Sequence, residues 1–121
     1  MAICPRKYLI KDLINKAPPV DVWLQGTIEH SVDSGTIIIS DTFGCAKITN
    51  CETVDGVIDR KSLRKGTYCC VIGTAISTTG LPEVQATKVV DLSSQPEMKT
   101  AWETEVKEAN LFLEGKYKPS V

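Results

Sequence analysis

Hydrophobic and polar positions alternate with a period near two over 22–31, 36–40, 45–49, 67–76 and 83–90, and the spacing turns helical only at 95–113. In the first stretch Val22, Leu24 and Ile28 point one way and are expected in a core, while Trp23, Gln25, Thr27 and Glu29 point the other. Gly26, in mid-strand, suits the sharp coiling of a strand that serves both halves of a small barrel. The joins carry turn chemistry: Asp33, Ser34 and Gly35 at one, Asp41, Thr42, Phe43 and Gly44 at the next. Five short strands followed by one helix predict a five-stranded Greek-key barrel of the OB type, all-β with a terminal helix. Such a barrel binds either single strands of nucleic acid or other proteins.

Three isoleucines in a row, Ile37, Ile38 and Ile39, put apolar side chains on both faces of the second predicted strand. The fourth is apolar almost throughout, with Tyr68, Cys70 and Ile72 on one face and Cys69, Val71 and Ala75 on the other, which implies cover on both sides. In the fifth, Val84, Ala86 and Val90 share a face, and strict alternation would bury Lys88 among them at prohibitive cost. A bulge near Thr87 or a place at the barrel rim releases it. Lys88 is then a rim lysine with a packed stem or a contact for a partner. Between residues 50 and 66 the pattern is polar and irregular, so the helix usual at that point is reduced or absent and something else closes that end of the barrel.

The helix is announced by Ser94 with Glu97 three residues on, by Pro96 in the first turn, and by Met98, Ala101, Trp102, Val106 and Ala109 at helical spacing. Lys99, Glu103 and Lys107 mark its solvent side. The apolar stripe either folds back on its own barrel or docks in part against a helix of another subunit. Trp23, on the polar face of its strand, is likewise either covered by the terminal segments or exposed to a partner.

Composition fits one domain over 1–121: an N-terminal segment at 1–19, the barrel at 22–92 and the helix at 95–113. With 121 residues, 42% of them hydrophobic, the chain can bury a core without disulfides or a metal. No apolar run is long enough to span a bilayer and residues 1–6 do not resemble a secretory signal, so an intracellular protein is expected. Fourteen basic against 15 acidic residues leave a net charge of −1, which gives no general attraction for phosphate. The one basic concentration, Arg60, Lys61, Arg64 and Lys65, is a solvated loop or a minor nucleic-acid contact. Aromatic platforms for stacked bases are missing from the second and third strands; Phe43 is near, but in a turn.

Cys4, Cys45, Cys51, Cys69 and Cys70 form neither a disulfide framework nor a metal-ligand spacing, and read as small packed thiols. His30 is the single histidine, and no motif joins a nucleophile to a base or cradles a phosphate, so neither catalysis nor a cofactor is expected.

Three blocks in the same order resemble the small subunit of the RecQ-mediated genome instability complex: Val22, Trp23, Leu24, Gln25 and Gly26; Lys65, Gly66, Thr67 and Tyr68; and the run from Gln85 to Ser93 followed by Trp102, Glu103, Glu105 and Val106. Tyr8, Leu9, Leu13 and Ile14 match that family's N-terminal segment more weakly. The resemblance implies a noncatalytic nuclear scaffold that pairs with an OB domain of a larger sister subunit. The pair would associate with a RecQ-family helicase and a type IA topoisomerase to dissolve double Holliday junctions, and would offer a groove to a Fanconi anaemia helicase. Direct DNA binding would be slight. By position, Lys88 corresponds to a lysine implicated in helicase association and Trp102 to a tryptophan of the interface helix, with Met98 and Val106 on the same stripe.

Overall fold

The computed structural model of the chain describes residues 6–14, 16–33, 35–51 and 64–113. Its strands are β1 (Arg6–Lys7), β2 (Val20–Asp33), β3 (Thr36–Ser40), β4 (Cys45–Thr49), β5 (Tyr68–Ser77) and β6 (Glu83–Asp91), followed by the helix α1 (Pro96–Leu113). Five of these elements coincide closely with the stretches of alternating residues. β1 does not, because two residues carry no period, and β2 runs further at both ends than expected.

Strand order is β1-β2-β3-β4-β6-β5, and β2 pairs again with β5 to close a five-stranded barrel. Closure depends on the length of β2. Residues 20–27 of β2 run antiparallel to β5 and residues 27–33 run antiparallel to β3. Gly26 sits where the strand passes from one partner to the other; a Cβ there would lie 2.8 Å from the Ser40 carbonyl oxygen. Only a residue without a side chain permits that approach. β4 and β6 run parallel although β5 lies between them in the chain, a pairing in keeping with the Greek-key barrel of the OB fold.

Inside the barrel lie Val22, Leu24 and Ile28 of β2, Ile37 and Ile39 of β3, Ala46 and Ile48 of β4, and Cys69, Val71 and Ala75 of β5. β6 contributes Val84, Ala86 and Val89. The expectation that Val90 would share their face is corrected by the register. Ile72 stands opposite Lys88 and Gly73 opposite Ala86, so Thr87 is the extra residue of a bulge. The bulge reverses the phase, which brings Val89 inward and leaves Lys88 exposed. Thr87 anchors the distortion by donating its hydroxyl to the Ile72 carbonyl, 3.0 Å away.

The N-terminal segment belongs to the same core. Tyr8, Ile10 and Leu13, the latter two on a 3-10 turn, are buried with the barrel residues. Asp41, in the β3–β4 turn, fixes this segment: one carboxylate oxygen accepts the Ile10 N–H at 2.7 Å, and the other accepts those of Phe43 and Gly44 at 2.8 and 3.0 Å. A single carboxylate thus satisfies donors of both a turn and the segment packed against it, where charge-assisted hydrogen bonds are strongest. No helix among the described residues is long and apolar enough to cross a membrane. Arg60 and Lys61 lie outside the described residues.

Candidate partner-binding surface

Registers of three neighbouring strands place Trp23, Ile72 and Lys88 in one row across β2, β5 and β6, on the outside of the barrel. β1 extends the row, since Lys7 stands beside Trp23 and its ammonium lies 4.9 Å from the indole ring centre. The next row runs from Gln25 through Cys70 to Val90. Directly paired residues share a face, so the strand pattern alone forces this grouping.

α1 covers one side of the surface. Trp102 and Val106 are turned toward the chain's own barrel, at 3% and 1% exposure, where they pack with Leu9 and against Trp23. Lys7 is paired with Glu105, and the Asn110 amide donates to the Lys7 carbonyl at 3.0 Å. These bonds tie the helix to β1. Trp23 is therefore partly covered by both terminal segments, and the helix position is fixed from beneath by Trp102. Met98 is half-buried at the edge of the helix, and Ala101 is exposed.

The remainder stays open. Ile72 and Val90 are half-buried and Lys88 is exposed, with no ion pair to Lys88 among the described residues. Beneath them Gln25 is buried and receives the Tyr68 hydroxyl at 2.8 Å. Burial pushes the Cys70 thiol up to about 11, against the opposing pull of the Trp23 indole and of Lys88 and Lys7. Burial likewise raises Cys69 to about 12 and Cys51 to about 11, so all three are neutral, unreactive thiols at physiological pH. Cys45 is exposed. The surface offers apolar contact flanked by the ammonium groups of Lys88 and Lys7, a combination suited to holding a protein.

Of the residues singled out in the sequence, Lys88 and Trp23 come together on this face with Met98 at its margin, whereas Trp102 and Val106 lie under it. Arg64 and Lys65 are exposed in the approach to β5. Ile72 and Val90 were not singled out, because without the bulge Ile72 has no assigned neighbour and Val90 counts as core.

On the face where OB barrels hold single strands, β3 and β4 carry no aromatic residue, and Lys47 is paired with Glu83 at 3.8 Å. Phe43 in the adjoining turn is engaged by the Lys11 ammonium, 4.0 Å from its ring centre.

Solved structures similar to this one include Replication protein A of U. maydis bound to ssDNA, with a TM-score of 0.68 at 18% identity over 98% of this chain and 100% of that one. Telomere capping protein Ten1 of Saccharomyces pombe follows at 0.64 and 9% identity, covering 86% of this chain and 99% of that chain. At such identities the likeness speaks for the OB fold alone. Two relatives are closer in sequence, both RecQ-mediated genome instability protein 2: that of Mus musculus, 31% identical over 102 residues, and that of Bos taurus, 32% identical over 92. The alignments take in 83% and 76% of this chain but 66% and 57% of those proteins. The sequence pattern of the same family matches residues 14–110, through every barrel strand and into α1. This chain therefore belongs to the RecQ-mediated genome instability protein 2 family.

Proposed function

We propose that the chain is a noncatalytic scaffold in genome stability, an OB-fold subunit that pairs with a larger OB-domain sister subunit. With it the chain supports a RecQ-family helicase and a type IA topoisomerase in dissolving double Holliday junctions, work that would place it in the nucleus. A Fanconi anaemia helicase is a further client of the pair. The observation that carries this reading is the row of Trp23, Ile72 and Lys88, an apolar surface with an unpaired cation at its rim, lying beside α1. Lys88 serves the helicase contact. The helix contacts the sister subunit through Met98, Ala101 and Ala109, whose small or flexible side chains permit close approach, while Trp102 and Val106 hold it in position from below.

A single-strand binder is the competing class. Against it stand the absence of stacking aromatics on β3 and β4 and the Lys47–Glu83 pair, which neutralises that face. Two measurements test the reading. Purification from its native cell should recover a sister OB subunit with a helicase and a topoisomerase, identified by mass. Anisotropy with a mixed-sequence oligonucleotide should give no submicromolar binding at physiological salt. Tight binding that is lost on neutralising Arg60, Lys61, Arg64 and Lys65 would replace the scaffold with the nucleic-acid reading.

A further inference from the structure

A concavity lies between the N-terminal segment and the C-terminal half of α1, and neither Lys88 nor Ile72 lines it. It encloses about 630 Å³. Arg6, Lys11, Lys16 and Lys107 line it, and the only acid among its lining residues is Asp12. Asp12 is already committed: its carboxylate accepts the Leu9 N–H at 3.1 Å. Four cations against Asp12 and the Glu103 carboxylate held by Lys107 leave a local excess of two positive charges in a chain whose net charge is −1. Lys107 has a partner in Glu103 at 2.9 Å; Arg6, Lys11 and Lys16 have no carboxylate partner among the described residues.

Apolar surface forms the rest of the groove. Tyr8 and Val106 are buried in its floor, and Leu111 stands 41% exposed at its rim. The walls are fixed to each other, since the Arg6 guanidinium donates to Asn110 Oδ1 at 2.9 Å and the Asn110 amide donates to Lys7. After that bond is made, Arg6 Nε remains buried with no hydrogen-bond partner among the described residues. An unsatisfied buried donor on a cation costs more than a neutral one, so the guanidinium favours any added negative charge beside it.

We infer that this groove binds an acidic segment of a partner protein that also carries aliphatic side chains, the carboxylates meeting Arg6, Lys11, Lys16 and Lys107 and an aliphatic group resting on Leu111. Tyr8 decides between a peptide and a nucleic-acid strand. Its ring is 5% exposed and already lies under the Arg6 and Lys16 cations, at 5.6 and 5.3 Å from the ring centre, so no base can stack on it. Phosphates would find cations here but no platform for the bases between them. Residues 1–5 contain no acid, and residues 114–121 hold one glutamate against two lysines, so neither segment complements the groove's charge.

The test titrates the full chain with two labelled peptides of equal length, one of mixed glutamate and leucine and one of glutamate alone. The mixed peptide should bind, weaken as salt rises, and lose about tenfold or more in affinity when Lys11→Glu and Lys107→Glu are combined. Both residues are exposed, so the variant should keep the parent's circular dichroism, with the melting midpoint lowered only by the few degrees that the lost Lys107–Glu103 pair and Lys11–Phe43 contact account for. Leu111→Ser should weaken the mixed peptide and leave the glutamate-only peptide unaffected. Equal binding of the two peptides, indifference to the charge reversals, or displacement of the mixed peptide by a single-stranded oligonucleotide would overturn the assignment.

Discussion

Lys88 stands directly across the β5–β6 ladder from Ile72, and this pairing exists only because Thr87 is squeezed out of the register. Without the bulge Lys88 would enter the barrel among Val84 and Ala86. With it, the same residue becomes the rim of an apolar row that reaches Trp23 two strands away. A strand irregularity thus converts a packing conflict into a surface feature.

Lys88→Ala should consequently leave stability within about 0.5 kcal/mol of the parent, as for surface changes generally. If Lys88 serves the helicase contact, capture of the RecQ-family helicase should weaken by roughly tenfold, about 1.4 kcal/mol. Melting and pulldown on the same preparations separate the two effects. An unfolded variant, or unchanged capture, would remove Lys88 from the contact.

Gly73 is the residue of β5 beside the bulge, and its lack of a side chain is essential there. A Cβ at Gly73 would lie 2.2 Å from the Gln85 carbonyl oxygen and 2.9 Å from the Ala86 Cα, both backbone atoms that cannot step aside. Gly73→Ala should therefore part β5 from β6 and cost roughly 1–3 kcal/mol or more, lowering the midpoint by some ten degrees. Gly44→Ala is the control, because its Cβ would meet the Ile10 side chain only at 3.5 Å, an ordinary contact. Equal melting of the two variants would contradict the tight β5–β6 approach.

The barrel was legible in the sequence because its strands alternate and its turns carry Asp and Gly at the places that bend. Lys88 was legible as a conflict: its phase required either a bulge near Thr87 or a place at the barrel rim, and the register has the bulge at Thr87. What escaped was non-periodic. β1 has two residues, and the seating of Tyr8, Ile10 and Leu13 in the core depends on Asp41, 31 residues beyond Ile10 in the chain. No local pattern encodes that bond. The direction of Trp102 was equally open, since a helical stripe states which residues share a face and not which surface the face meets.

Alkaline pH should expose the buried thiols. Cys51, Cys69 and Cys70 rise from an ordinary 9.0 to about 11, 12 and 11, burial being the main cause, and burial drives the Tyr68 phenol upward as well. A raised pKa means that the folded chain holds its proton longer than the unfolded one. The stability these groups contribute is whole below pH 9 and declines as pH climbs from there through about 11 to 12. Melting under reducing conditions should show that decline, shallower in Cys70→Ala than in the parent. Iodoacetamide at neutral pH should modify Cys45 and spare the three buried thiols; their modification in the native state would contradict the burial.

Trp102 tests how the helix divides its work. Its indole is 3% exposed, packed with Leu9 and Val106 and against Trp23, so truncation leaves a cavity between α1 and the barrel. Trp102→Ala should cost about 3–5 kcal/mol of folding stability, and the free chain's melting midpoint should fall steeply. Met98, half-buried at the helix edge, should behave in the opposite way: Met98→Ala barely moves the midpoint yet weakens association with the sister subunit. Association is read on the folded fraction at a temperature below both midpoints. If Trp102→Ala melted like the parent and lost the sister subunit, the indole would be a direct interface anchor and its packing on the barrel incidental.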